Sequence, residues 1–336
     1  MIHIAQIGCG YWGPNLLRTF NNIDTCKLTS VLELSDERRK YVNLNYPHIS
    51  CSANESIEKI LNDECIDAVV IASPAHLHFE QAKQCLLSGK HVLVEKPMAT
   101  KVSEVIELQD ISKQKGLILM SGHTFIYNDA VRFIKKEFDQ GNLGDILYIA
   151  SQRLNLGKVR SDVDALWNFA PHDVSIVQYL LNNQQPKHIS SSGMDFIQEG
   201  IDDVVFLNLR YEKTLVNIHV SWLDPLKTRK VIVVGSKKMI IYDDVSDDKI
   251  TVYDKGIDKF SELNQHMDFD TISSVPFRYR SGDIWIPKIN FVEPLRRQCE
   301  HFLYCIEEGI EPITGFTHTK EVIRILENAS TNKQRY

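Results

Sequence analysis

Along the first third of the chain, short apolar runs alternate with segments whose apolar residues recur at helical spacing. Ile2–Ile7, Leu28–Leu34, Ala68–Ala72, His91–Glu95 and Leu117–Ser121 read as buried strands. Between them, Asn15–Phe20, Asp36–Leu44, Glu55–Leu61, Leu77–Leu87 and Val102–Lys115 carry the helical pattern. Strands that are apolar on both faces and alternate with helices belong to a parallel sheet covered on both sides. The expected fold class is therefore α/β, with a doubly wound parallel sheet at the N-terminal side.

Near Gly122 the pattern changes. Residues 128–138 read as a connecting helix, followed by longer strand-like runs: Ile146–Asn155, Val204–Tyr211, Leu215–Trp222, Lys230–Gly235 and Met239–Tyr242. In Leu215–Trp222 the residues Val216, Ile218, Val220 and Trp222 share one face, while Asn217, His219 and Ser221 share the other. This predicts a second α/β domain with an open, mainly antiparallel sheet. One face of that sheet is apolar and the other mixed, which invites burial against another subunit. Pro171–Leu181 reads as a helix interrupting the strands, and Pro294–Glu307 and His318–Ala329 as closing helices. The expected division is 1–122 and 123–336. Residues 257–293 show little periodicity, which points either to a functional or interface arm or to a strand without a clear pattern.

Composition narrows the class. The chain has 336 residues, 43% hydrophobic and 24% charged, with a net charge of −6. A generic nucleic-acid binder carries a basic surplus, so nucleic acid is not an expected partner. The seven cysteines include no C-x-x-C pair, which fits reduced thiols in a cytoplasmic protein. No leader pattern precedes the first strand and no run is long enough to span a bilayer, so no membrane partner is expected.

Gly8-Cys9-Gly10-Tyr11-Trp12-Gly13 matches the dinucleotide fingerprint G-x-G-x-x-G, and it follows a strand and opens a helix. Its glycines permit the turn, the approach of the backbone to the pyrophosphate and close helix–strand packing; the helix N-terminus, with Tyr11 and Trp12 in the loop, faces the phosphates. Glu33 lies 20 residues past Gly13. It can bind the ribose hydroxyls of NAD and repel the extra phosphate of NADP, or it is a solvated carboxylate at a strand end. Arg38 and Arg39, close behind, could instead pair with that phosphate. Ser73 and Pro74 end another strand and should border the cofactor. His76-x-His78 lacks a third ligand of matching spacing, so no metal is expected. Glu95-Lys96-Pro97 also ends a strand: Lys96 either stabilises a developing alkoxide or is a surface lysine before a turn proline.

Taken together, the glycine loop, Ser73-Pro74 with His78, and Glu95-Lys96-Pro97 resemble the glucose–fructose oxidoreductase/inositol dehydrogenase (Gfo/Idh/MocA) family over essentially the whole chain. The resemblance implies a Rossmann domain, NAD as cofactor, Lys96 as the catalytic lysine with a cis bond to Pro97, and Ser73, Pro74, His78 and Glu95 around the cofactor. The family's Asp or Asn four residues before a His maps onto Asn168 and His172. His172 would exchange the hydroxyl proton and Asn168 would orient substrate; alternatively Asn168 is a helix N-cap and His172 a packed helix residue. Asp173 is a rival base. Many members carry Asp three residues after the histidine, where this chain has Ser175. His123, near the expected nicotinamide position, touches carboxamide or sugar, or is structural.

The run Arg153–Gly157 with Asn155, together with Arg160 and Trp222, can line a substrate site, and the two arginines can hold a diphosphate or instead be exposed or interface residues. Gly10-Tyr11-Trp12-Gly13-Pro14-Asn15 and the run Trp167–Asp173 resemble the branch of nucleotide-sugar (UDP-N-acetylglucosamine) 3-dehydrogenases. That branch implies oxidation of a UDP-linked N-acetylhexosamine, or its uronic acid, during amino-sugar or cell-surface polysaccharide synthesis, by a homodimer or homotetramer. A keto-sugar reductase or a polyol dehydrogenase uses the same parts. An NAD-binding sensor is the alternative of another class, and needs neither Lys96 nor His172.

Overall fold

The computed structural model describes residues 1–52, 57–157, 159–259 and 277–334. The first domain contains β1 (Ile2–Ile7), α1 (Gly13–Asn21), β2 (Cys26–Leu32), α2 (Asp36–Asn45), β3 (Ser50–Ser52), α3 (Ile57–Asn62), β4 (Ala68–Ile71), α4 (His78–Leu87), β5 (His91–Val94), α5 (Val102–Lys115) and β6 (Leu119–Ser121). Its parallel sheet has the order β3-β2-β1-β4-β5-β6. The order reverses beside β1, so a crevice opens there at the C-terminal strand ends. All four residues of β4 are buried, as the expectation of a sheet covered on both faces requires.

The second domain follows with α6 (Asp129–Asp139), β7 (Ile146–Leu156), α7 (Ala165–Leu180), β8 (His188–Met194), β9 (Val204–Arg210), β10 (Leu215–Ser221), β11 (Leu223–Gly235), β12 (Met239–Asp243), β13 (Ile250–Lys259), β14 (Phe277–Trp285), α8 (Pro294–Glu308), α9 (Phe316–Thr331) and β15 (Lys333–Gln334). Among the described residues the sheet has nine strands, in the order β14-β13-β12-β11-β7-β10-β9-β8-β15. It is antiparallel except for the β7–β10 and β8–β15 pairs. Val216, Ile218, Val220 and Trp222 lie on the face covered by α7 and are all buried.

Several boundaries differ from the sequence expectation. α7 begins at Ala165, not at Pro171, because Asp164 caps it by accepting from the Trp167 N–H at 2.9 Å. Pro171 is therefore interior, where it removes one intrahelical donor. β11 begins at Leu223; a register shift between Leu223 and Thr228 hides its first half from a period-two pattern. Within the stretch 257–293, β14 is the strand whose alternation was not legible; it pairs with β13 from Val252 to Lys259, and residues 260–276 lie outside the described residues. The strands β3, β8, β13 and β15 also went unread.

The last two helices tie the domains together. Leu295, Cys299 and Phe302 of α8 join the core formed by Leu16, Leu17 and Phe20 of α1. Ile323 of α9 packs with Ala99 and Val105, and Glu327 accepts from the Val102 N–H at 3.1 Å. Secondary structure from both domains is thus packed together at their junction. Among the described residues, no helix is long and apolar enough to cross a membrane.

Candidate active site

The turn after β1 is shaped by close approach. Gly8 has φ +89°, and a Cβ there would sit 2.7 Å from the Ala72 carbonyl oxygen. Gly10 is the opposite case: a Cβ would meet no atom within 4 Å, so its hydrogen faces open space at the mouth of the crevice. α1 starts at Gly13 with Pro14 in its first turn, no side-chain cap and no acidic residue there. Its first N–H groups and positive dipole end are available to an anion. This cradle fits a dinucleotide pyrophosphate. Tyr11 is 93% exposed and Trp12 partly so.

Glu33 accepts from the Cys9 N–H and, at 2.8 Å, from the Ser35 N–H. Its carboxylate is thereby fixed beside the glycine loop, where a ribose belongs. Arg39 turns inward instead: it donates to the Glu33 and Leu34 carbonyls, 2.9 and 2.6 Å, and pairs with Asp36. Its alternative role on an extra phosphate is spent.

Ser73 follows β4, and its hydroxyl donates to Gln81 at 2.5 Å; Pro74 is exposed at the crevice rim. His78 is buried, with Nδ1 2.7 Å from the Pro97 carbonyl and Nε2 2.9 Å from the Ser73 carbonyl. It braces the Ser73 turn against the turn at Lys96–Pro97, whose peptide bond is cis.

Lys96 extends from the end of β5 across the domain junction. Its Nζ donates to the Asn168 carbonyl of α7 at 3.1 Å. Glu95 is packed behind it, with Oε1 buried and unpartnered among the described residues. Burial pushes the Lys96 pKa down and the Glu95 pKa up, while the pair's mutual attraction opposes both shifts. Arg153 and Arg160 push Lys96 further down.

His172 stands one turn beyond Asn168 on α7. Its Nδ1 is buried without a hydrogen-bond partner among the described residues, and its ring lies edge-on to Phe125, centroids 5.0 Å apart. Burial, then Lys96, Arg153, His123 and Arg229, hold its pKa well below the ordinary histidine value. The imidazole is neutral at physiological pH and able to accept a proton. His123 is also buried and held neutral, with neither nitrogen partnered among the described residues and its ring edge-on to His318 at 5.4 Å.

Other expected site residues are placed differently. Asn168 is not the N-cap of its helix; it lies in the first turns, and the contact it makes with Lys96 is through its carbonyl. Asp173 points away from the role of a rival base. It is buried, accepts from Arg153 Nε at 2.7 Å and Nη2 at 3.2 Å, and accepts from the Ser151 hydroxyl at 2.7 Å. Arg153 is accordingly a buried, paired side chain in the cleft floor, not an open diphosphate donor, and its guanidinium lies 4.5 Å from the Phe125 ring centroid. Arg160 is at the surface, paired through two hydrogen bonds with Asp162. Asn155 is half-buried on the Arg153 face of β7. Trp222 is core, not lining: it is fully buried, and its indole N–H donates to Asp203. Ser175 hydrogen-bonds His318 Nε2 at 3.0 Å, so that position serves α9 and not His172.

Sequence reasoning missed Arg229. It stands directly opposite Arg153 in the β7–β11 ladder, so both project to the helix-covered face. Extending the Val231, Val233 alternation back by two residues would have found it.

Comparison with known proteins agrees with this architecture. Residues 2–123 match an oxidoreductase family with an NAD-binding Rossmann fold, and residues 131–241 match the GFO/IDH/MocA C-terminal domain. A UDP-N-acetylglucosamine 3-dehydrogenase from Acidithiobacillus ferrooxidans is 27% identical over 66% of this chain and 68% of its own. The crystal structure of a UDP-N-acetylglucosamine 3-dehydrogenase from that organism superposes with a TM-score of 0.80, covering 99% of this chain and 97% of the other at 19% identity, a likeness of fold. The 2,7-anhydro-N-acetylneuraminate hydratase of Escherichia coli is 25% identical over 63% of this chain. The match spans 59% of the hydratase's own length, less than two thirds of that protein.

Proposed function

Because the chain belongs to the Gfo/Idh/MocA oxidoreductase family, with its NAD-binding Rossmann fold, we propose that it is an NAD-dependent sugar dehydrogenase. Its substrate in this reading is a UDP-linked N-acetylhexosamine or the corresponding uronic acid, oxidised at the 3-hydroxyl to a 3-keto sugar. The observation that carries the reading is the meeting of Lys96 with the His172 helix at the mouth of the nucleotide crevice. Bound NAD supplies the hydride acceptor. Lys96 hydrogen-bonds the reacting hydroxyl and stabilises negative charge developing on its oxygen. His172, neutral and partly desolvated, takes the hydroxyl proton. Asn168 holds the Lys96 ammonium through its carbonyl, and His123 lies toward the nicotinamide carboxamide or the sugar.

The proposed setting is the cytoplasm, in amino-sugar or cell-surface polysaccharide synthesis. The outer face of the nine-stranded sheet exposes Tyr148, Phe206 and Leu215; a second copy of the chain is its proposed partner.

The test is turnover of UDP-N-acetylglucosamine and its uronic acid with NAD, followed by mass spectrometry. A pyridoxal-phosphate aminotransferase with glutamate is added to draw off the keto product. Loss of two hydrogens, or a 3-amino product, is the expected result. If the UDP-sugars neither bind nor react while free inositol or glucose does, the reading is overturned.

A further inference from the structure

The helix-covered face of the nine-stranded sheet changes chemistry along its length. It is apolar at Ile149, Val216, Ile218, Val231 and Val233, all buried. Further along β7 and β11 the same face carries the facing pair Arg153 and Arg229. Arg153 lies against Phe125, and Phe125 against His172, so the two guanidiniums mark the end of the face that borders the proposed base.

The partners of the two arginines differ. Arg153 is 6% exposed and is bound through two nitrogens to Asp173. The Arg229 side chain is 40% exposed, and Nη1 lies 3.4 Å from Asp244 Oδ2, near the limit of a hydrogen bond. Asp244 also accepts from the Tyr242 hydroxyl at 2.9 Å, through its other oxygen, Oδ1. A guanidinium offers five N–H donors in a planar fork matched to carboxylate or phosphate oxygens. Arg229 is thus a weakly engaged, accessible cation near enough to the neutral base to act on it, together with Lys96 and Arg153.

We propose that Arg229 is a specificity-determining residue that binds an anionic oxygen group of the substrate, either a carboxylate on the sugar ring or the pyrophosphate attached to it. The assignment rests on the dehydrogenase reading above and deepens it: the enzyme selects a negatively charged sugar over a neutral one. A bidentate pair here would also fix the ring's register relative to Lys96 and His172.

The test compares wild type, Arg229→Met and Arg229→Lys on UDP-N-acetylglucosamine, its uronic acid, and free N-acetylglucosamine, reading kcat and KM separately. The expected result is a selective fall in kcat/KM of about 10- to 100-fold for Arg229→Met, expressed mainly in KM and partly restored in Arg229→Lys. A fall greatest on the uronic acid identifies the ring carboxylate. An equal fall on both UDP conjugates, exceeding that on the free sugar, identifies the pyrophosphate. The same fall on all three, or none, overturns the proposal. If wild type oxidises none of them, the dehydrogenase reading fails separately. Arg229 is then decided by calorimetric binding of UDP-N-acetylglucosamine and its uronic acid to wild type and Arg229→Met, where unchanged affinities for both overturn it.

Discussion

Arg153 and Asp173, from β7 and α7, form a bidentate ion pair in the floor of the cleft, with Nε–Oδ2 2.7 Å and Nη2–Oδ1 3.2 Å. The pair locks the helix carrying His172 to the sheet carrying Arg229. Removing one partner strands a buried charge. Asp173→Ala should therefore destabilise the fold by about 3–5 kcal/mol, measured by denaturant unfolding. Asp173→Ala with Arg153→Met should recover part of that loss; a double variant no more stable than Asp173→Ala would show that the pair is not the cause.

Gly8 and Gly10 should fail in different ways. Ala at Gly8 must adopt φ +89° and meet the Ala72 carbonyl, so Gly8→Ala should lower the melting temperature. A methyl at Gly10 meets no protein atom. Gly10→Ala should melt like the wild type and bind NADH at least tenfold more weakly. Thermal melts and NADH fluorescence titration separate the two, and unimpaired NADH binding by Gly10→Ala would remove the pyrophosphate from this cradle.

Glu33 should set cofactor choice. With its carboxylate fixed at the glycine loop, wild type should prefer NADH over NADPH, because the extra phosphate would meet a negative charge. Glu33→Ala should narrow that preference by about tenfold or more. Equal affinities in the wild type would contradict the assignment.

Lys96→Met should abolish most turnover while leaving NADH affinity within a few-fold, since the proposed target of Lys96 is the sugar hydroxyl and not the pyrophosphate. Stopped-flow turnover and equilibrium titration report the two quantities. Loss of NADH binding with preserved turnover per bound cofactor would reverse the assignment.

The acid limb of kcat/KM should lie below the ordinary histidine range, because burial and neighbouring cations disfavour the imidazolium of His172. Removing a cation makes protonation easier, so Arg229→Met should move that limb to higher pH. His172→Asn should lower the rate sharply and erase the limb. A limb that persists in His172→Asn would transfer the base role to another group.

The nucleotide-binding half was legible in the sequence because its determinants are local. Apolar runs, the glycine fingerprint, Glu33 and Lys96 at strand ends each reflect geometry spanning a few residues, and parallel βα units place strand ends together automatically. The sequence by itself also supplied the family, through motifs joined in the right order. Only the tertiary structure decided where the second domain meets the end of the Lys96 strand. Lys96 finds the Asn168 carbonyl 72 residues away, and Arg153 and Arg229 face one another only through the register of β7 with β11. The same packing consumed Arg153 and Asp173 in a mutual ion pair and put Trp222 in the core. The physical reason is that a side-chain pattern reports which face a residue occupies, whereas its partner depends on strand register and helix docking. Those are fixed by contacts distant in sequence, and no local period records them.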